Sequence, residues 1–164
     1  DGALTVATLD GANIEIKDYV GEDNIFIFGL KKEEVLQYEA DHSYQASDYY
    51  ANDPILHRVL DAFVDGTIPS IGAEGAEIFN SLVHANDEYF VLRDFEDYLR
   101  AQGEVEKTYR NPSLWNKKCL VNIANAGYFS SDYTIQKYAD EIWHVAPSDP
   151  LDGKDCGANG QYPL

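Results

Sequence analysis

The residues best placed to do chemistry sit in a turn near the start of the chain, at Thr8, Asp10, Gly11 and Asn13 of Leu4-Thr-Val-Ala-Thr-Leu-Asp-Gly-Ala-Asn-Ile-Glu15. The segment reads as a strand, a glycine turn and a helix start. Turns at the carboxyl ends of parallel strands line the ligand clefts of α/β proteins. The same residues also suit a plain structural turn, in which Gly11 relaxes the backbone and Asp10 or Asn13 caps the helix. Both readings stand at this level.

Other chemistry-bearing patterns are weaker. Gly72-Ala-Glu-Gly75 echoes a phosphate loop but has no Lys-Ser/Thr pair and no preceding strand, and Glu74 would repel phosphate. His42, His57, His84 and His144 lack zinc spacing, so no metal is expected. No GxSxG occurs. The carboxylates are abundant, but no pair is set apart by an apolar setting. Tyr49, Tyr50, Tyr89 and Tyr98 could stack on sugars, or could pack in the core.

The elements that must position these residues follow from pattern. Leu4 to Leu9 predicts a strand, Asn13 to Tyr19 a helix closing near Gly21, and Ile25 to Phe28 a strand buried on both faces. Lys31 to Tyr38 predicts a helix with Val35 and Leu36 inward. This is the βαβ pattern of an α/β domain. Asp53-Pro54 marks a helix start, and Leu56, Val59, Leu60 and Phe63 give its apolar stripe up to Gly66. Thr67 to Gly75 reads as a loop, Ala76 to His84 as a helix and Tyr89 to Leu92 as extended. Asp94 is expected to cap a helix ending near Tyr109. Asn111-Pro112 opens another, carrying Leu114, Trp115, Cys119 and Val121, with Cys119 buried. Ser130-Ser131-Asp132 caps the last, whose stripe is Ile135, Tyr138, Ala139, Ile142 and Trp143. Residues 148–164 read as a flexible tail. Two or three strands against six or seven helices suggest one edge of a larger α/β domain.

Composition bounds the rest. The chain has 164 residues, 45% hydrophobic and 25% charged, which is globular composition. No run approaches the ~18 apolar residues of a membrane span. Net charge is -17, from 12 basic and 29 acidic residues, which disfavours nucleic acid and anionic membranes as partners. Cys119 and Cys156 form no disulfide framework and suit a reducing, cytoplasmic setting. No signal peptide is visible at the start. Methionine is absent, so Asp1 is not read as a native start and a fragment is expected.

Two segments carry a resemblance. Gly2-Ala-Leu-Thr-Val-Ala-Thr-Leu-Asp-Gly-Ala-Asn-Ile-Glu15 and Phe129-Ser-Ser-Asp-Tyr-Thr-Ile-Gln-Lys-Tyr-Ala-Asp-Glu-Ile-Trp143 resemble the C-terminal part of the glycogen, starch and maltodextrin phosphorylases. Glu22 to Gly29 and Tyr89 to Tyr98 resemble the same family in the same order, so the likeness spans Asp1 to about Pro147. Asp1, Ala7, Tyr128 and Tyr133 depart from the family's usual Asn, Gly, Lys and Arg.

The resemblance implies a helix-rich C-terminal portion of a Rossmann-like GT-B domain over residues 1–147. It implies an α-1,4-glucan phosphorylase that transfers a glucosyl unit to orthophosphate, giving glucose 1-phosphate. Pyridoxal phosphate would be held as a Schiff base, and the partners would be the glucan, orthophosphate, the remainder of the phosphorylase chain and further copies of it. The Schiff-base lysine would lie in a Gly-Thr-Gly-Asn-Met-Lys segment upstream of residue 1, and none of the eight lysines here matches it. No catalytic residue is therefore expected in this chain, no cofactor is expected on it, and the chain alone is expected to be inactive. Thr8, Asp10, Gly11 and Asn13 remain its cleft-lining candidates. Two other readings are an acidic helical module that binds a protein partner, and part of a sugar-nucleotide glycosyltransferase of GT-B architecture.

Overall fold

The computed structural model describes residues 2–146; the expected tail, with Pro147, Pro150 and Cys156, lies outside them. The chain divides into two compact units, Asp1–Asn125 and Ala126–Leu164.

The first unit opens with the expected strand–helix–strand. Strand β1 (Val6–Ala7) leads through Gly11 into helix α1 (Ala12–Val20), which stops at Gly21. Strand β2 (Phe26–Ile27) pairs parallel to β1, with Val6 opposite Phe26 and Ala7 opposite Ile27. The Phe26 amide donates to the Thr5 carbonyl at 2.9 Å and the Phe28 amide to Ala7 at 3.1 Å. The ladder is shorter than the runs Leu4–Leu9 and Ile25–Phe28, because an extended segment makes ladder bonds only where a neighbour lies beside it. Ile25 and Phe26 are buried, as a doubly covered strand requires.

Helix α2 (Lys32–Asp41) follows. Its Val35 is half-buried, but Leu36 is 51% exposed, contrary to the expected inward pair. Helix α3 (Ala46–Asn52) has no apolar periodicity and was not expected. It is held from outside: Ala46 is fully buried and its amide donates to Asn86 Oδ1 at 2.8 Å. Helix α4 (Pro54–Asp61) starts as the sequence predicts, with the Asp53 carboxylate accepting from the Ile55 and Leu56 amides. Leu56 and Leu60 are both 2% exposed, whereas Val59 faces solvent.

Helix α5 (Gly72–Phe79) begins inside the expected loop and continues as a wide π turn over Asn80–His84. Gly75 lets it approach the chain at Phe63, since a Cβ there would overlap the Phe63 carbonyl. Helix α6 (Val91–Tyr109) begins three residues before Asp94. Tyr89 to Leu92 is therefore a turn running into a helix, not a strand, and Asp94 is not its cap. The turn is built on left-handed Asn86, Asp87 and Phe90, and Asn and Asp are the non-glycine residues that tolerate that geometry best. Helix α7 (Pro112–Asn125) starts at Asn111-Pro112 as predicted, with Asn111 Oδ1 accepting from the Leu114 amide at 3.2 Å. Its Cys119 is half-buried rather than buried. Asn122 of α7 donates to the Asn24 carbonyl at 2.9 Å, pinning the turn before β2.

The core of this unit lies among the helices. Tyr44, Ala46, Leu56, Leu60, Val83 and Leu92 form one buried cluster, flanked by Phe63, Phe79, Phe90 and Phe95. Burying a leucine side chain stabilises by about 1.5–3 kcal/mol. At its centre Asp87 is 2% exposed, and one carboxylate oxygen accepts from both the Tyr44 hydroxyl and the Leu92 amide at 2.7 Å.

In the second unit a 3-10 turn (Ala126–Phe129) precedes helix α8 (Ser131–Lys137), which Ser130 caps through the Tyr133 amide. A π turn (Tyr138–Trp143) ends at left-handed His144. Of the apolar stripe read from the sequence, Ile135, Tyr138, Ile142 and Trp143 are exposed.

Candidate functional site

The turn after β1 is ordered by its own side chains. The Thr8 hydroxyl donates to Asp10 Oδ2 at 2.8 Å, and Asn13 Nδ2 donates to the Thr8 carbonyl at 3.1 Å. The Asn13 amide also donates to the Asp10 carbonyl at 3.0 Å. No side chain caps α1, so the expected capping by Asp10 or Asn13 does not occur. Gly11 sits at φ 47, ψ -133, with open space where a Cβ would project. Glycine is required there by the backbone conformation, not by a close neighbour.

Thr8 and Asp10 line a groove of about 540 Å³ at the carboxyl ends of both strands. The turn after β2 supplies Phe28 and Leu30, α2 supplies Val35, and the start of α6 supplies Phe90, Asp94, Phe95 and Tyr98. Phe28 and Tyr98 meet edge to face, centroids 5.3 Å apart. Asn13 supports the groove through the Thr8 carbonyl, and Gly11 shapes the turn without lining it. Of the tyrosines flagged as stacking surfaces, Tyr89 and Tyr98 line this groove. Tyr49 packs on Tyr44, and Tyr50 stacks on His57 while donating to Asp61 at 2.6 Å.

Helix α6 is fastened to the β2 turn by two carboxylates. The Leu30 amide donates to Asp94 Oδ1 at 2.9 Å and the Gly29 amide to Asp97 Oδ2 at 2.8 Å. Gly29, at φ 85, has no room for a Cβ, which would stand 2.5 Å from Asp94 Oδ2. Arg100 adds a third tie, donating to the Ile27 carbonyl at 2.9 Å and to Asp97 at 2.5 Å. Burial raises the Asp94 carboxyl above the usual carboxylate range, while the hydrogen bond from Arg100 holds Asp97 below it. Sequence alone does not mark these α6 residues as site residues, because Asp94 has the look of a helix cap. Only the tertiary contact reveals its partner.

Among the described residues, no lysine, arginine or histidine lines the groove. Among the described residues, no three His, Cys, Asp or Glu groups converge on a possible metal position. Nor is any described helix long and apolar enough to cross a membrane.

A parallel strand pair joined by a helix, with its strand-end turns opening on a groove, defines an α/β protein rich in helix. Residues 1–145 match the family model described as Carbohydrate phosphorylase, and the chain belongs to that family. It is 46% identical over 147 residues to the glycogen phosphorylase of Bacillus subtilis (strain 168), covering 90% of this chain. It is 43% identical over 150 residues to the brain form of human glycogen phosphorylase and 42% over 149 residues to the muscle form. The chain spans 18% of the length of each of these relatives.

Proposed function

We propose that this chain is the C-terminal piece of an α-1,4-glucan phosphorylase, a pyridoxal phosphate enzyme of GT-B architecture. The parent would transfer a terminal glucosyl unit of glycogen or maltodextrin to orthophosphate, giving glucose 1-phosphate. The observation that carries this reading is the 46% identity to a glycogen phosphorylase across 90% of the chain. A cytoplasmic, homo-oligomeric parent accords with the family. Within it, Thr8, Asp10, Gly11 and Asn13 would form part of the cleft wall.

The residues present do not fit the cofactor. A Schiff base needs a free amine facing the site, and among the described residues no lysine lines the groove. Lys118 is turned to the Asp23 carbonyl and Lys137 to Glu141. The substrate phosphate and the cofactor's phosphate would also need cations, and Asp10 and Asp94 give this groove the opposite sign. The lysine and the phosphate-binding cations would therefore come from other parts of the parent, and this chain would contribute a wall.

A segment exchange tests the proposal. Residues 1–147 replace the matching stretch of the Bacillus subtilis enzyme, and glucose 1-phosphate release from glycogen is measured. Retained phosphorolysis is expected. A chimera that folds and binds its cofactor but releases none would refute the assignment. The isolated chain should release none above a blank.

A further inference from the structure

The groove at the strand ends has an unusual combination of linings. Its walls are the rings of Phe28, Phe95 and Tyr98 with Tyr89 at the mouth, and among the described residues its only charged linings are Asp10 and Asp94. Among the described residues no ion pair joins either carboxylate to a cation, the charge of Arg93 acting on Asp94 only from beyond ion-pair distance. Asp94 gives one oxygen to the Leu30 amide, and Asp10 accepts from Thr8. Tyr89 is 79% exposed, so one wall is open to an incoming ligand.

Ring faces carry negative potential and attract cations. Carboxylates beside them add direct Coulomb attraction, stronger where water is thinned out. Burial raises the proton affinity of Asp94 even though the Leu30 amide and the charge of Arg93 both act to lower it. A cavity of about 540 Å³ falls in the range that encloses small organic ligands. An anion would be repelled by both carboxylates and by the net charge of -17. A neutral apolar ligand would gain ring contact but leave the carboxylates unanswered. We propose that this groove binds a small organic cation, an amidinium, guanidinium or ammonium head carried on a flat apolar body. The head would sit between Asp10 and Asp94, and the body would lie against Phe28 and Tyr98. This goes beyond the phosphorylase reading, in which the same turn is part of a cleft wall.

The test uses the 164-residue chain, amide-resolved NMR and three probes: benzamidinium, its neutral isostere benzamide, and glucose. Benzamidinium should shift the amides of Thr8, Asp10, Leu30 and Tyr98 and saturate at millimolar concentration. It should bind about tenfold more tightly than benzamide. The pair Asp10→Asn and Asp94→Asn should weaken benzamidinium about tenfold and leave benzamide unchanged, with circular dichroism confirming the fold. Added salt should weaken the cation selectively. Equal binding of benzamide, tighter binding of glucose at the same residues, or no saturable shift at about 20 mM would each overturn the proposal. Saturable shifts confined to residues away from the groove would overturn it as well.

Discussion

The buried pair Tyr44–Asp87 offers a quantitative test of how the helical core is held. One Asp87 oxygen accepts from the Tyr44 hydroxyl and the Leu92 amide, both at 2.7 Å, in a site where Asp87 is 2% and Tyr44 5% exposed. A hydrogen bond to a charged group contributes about 1.5–3 kcal/mol, against about 0.5–1.5 for a neutral one. Tyr44→Phe deletes one such bond and leaves Asp87 its amide donor, so about 1.5–3 kcal/mol should be lost. Asp87→Asn can keep both donors on its carbonyl oxygen but loses the charge. At about 1 kcal/mol per bond, partly offset by relief of a buried charge, the loss should be about 1–2 kcal/mol. Asp87→Ala orphans two buried donors and should cost about 3–5 kcal/mol.

The double variant Tyr44→Phe with Asp87→Ala closes a cycle. Its coupling energy should be about 1.5–3 kcal/mol, since removing the second partner leaves nothing unpaired between the two. Urea unfolding followed by far-ultraviolet circular dichroism supplies the four stabilities. A coupling below about 0.5 kcal/mol would refute the reasoning, because that is the level of an exposed, solvated pair. An independent check is spectroscopic. Burial, and then the hydrogen bond to Asp87, push the Tyr44 hydroxyl far above the usual phenol range, so its phenolate absorbance should emerge only as the chain unfolds in alkali.

Three further outcomes are expected. Leu60→Ala, at a 2% exposed position in the same cluster, should cost about 2–5 kcal/mol in urea unfolding, whereas Val59→Ala on the exposed face should cost under about 1. The two carboxylates on α6 should respond to pH with opposite sign. Asp97, depressed by Arg100, contributes stability above its unfolded value of about 3.9 that is lost as pH falls through its lower folded value. Asp94, raised by burial, costs stability above its folded value and is relieved below it. Melting temperature against pH should thus show Asp97→Asn destabilised at neutral pH and converging on the parent in acid. Asp94→Asn, which keeps an acceptor for Leu30, should be no less stable than the parent at neutral pH. Finally, incubation with pyridoxal phosphate and borohydride should leave the intact mass without one stoichiometric adduct.

What the sequence disclosed was local. Asp53-Pro54 and Ser130 announce their helices because each cap bonds to amides two or three residues on. The β1–α1–β2 unit is legible because a glycine turn separates an apolar run from a helical one. Helix α3 was invisible, since Ala-Ser-Asp-Tyr-Tyr-Ala-Asn has no stripe, and it is tied down instead by Asn86, 40 residues away. Tyr89-Phe-Val-Leu92 has strand-forming residues, yet the left-handed turn at Asn86, Asp87 and Phe90 delivers them into a helix. The groove divides along the same line. Thr8 and Asp10 could be read from their turn, but Phe95, Tyr98 and Asp94 join them only through tertiary contacts such as the Leu30–Asp94 bond, 64 residues apart in sequence.

Helix α6 is where stability and site meet. Its first turn is anchored in the core by the Leu92 amide on Asp87, and Leu92 itself is 3% exposed. The next turns carry Asp94 and Asp97, which grip the turn after β2, and Phe95 and Tyr98, which wall the groove. Ala101, fully buried, fixes the same face one turn later. A helix held at its start by a buried carboxylate and along its length by two more has little freedom to shift its aromatic face relative to the strand ends. Loosening the Asp87 anchor should therefore be felt at the groove. In Asp87→Asn the amide resonances of Gly29, Leu30 and Tyr98 should move although none of them touches residue 87. If only Tyr44, Leu92 and their immediate neighbours moved, the core and the groove would be independent, and α6 would be a wall rather than a link.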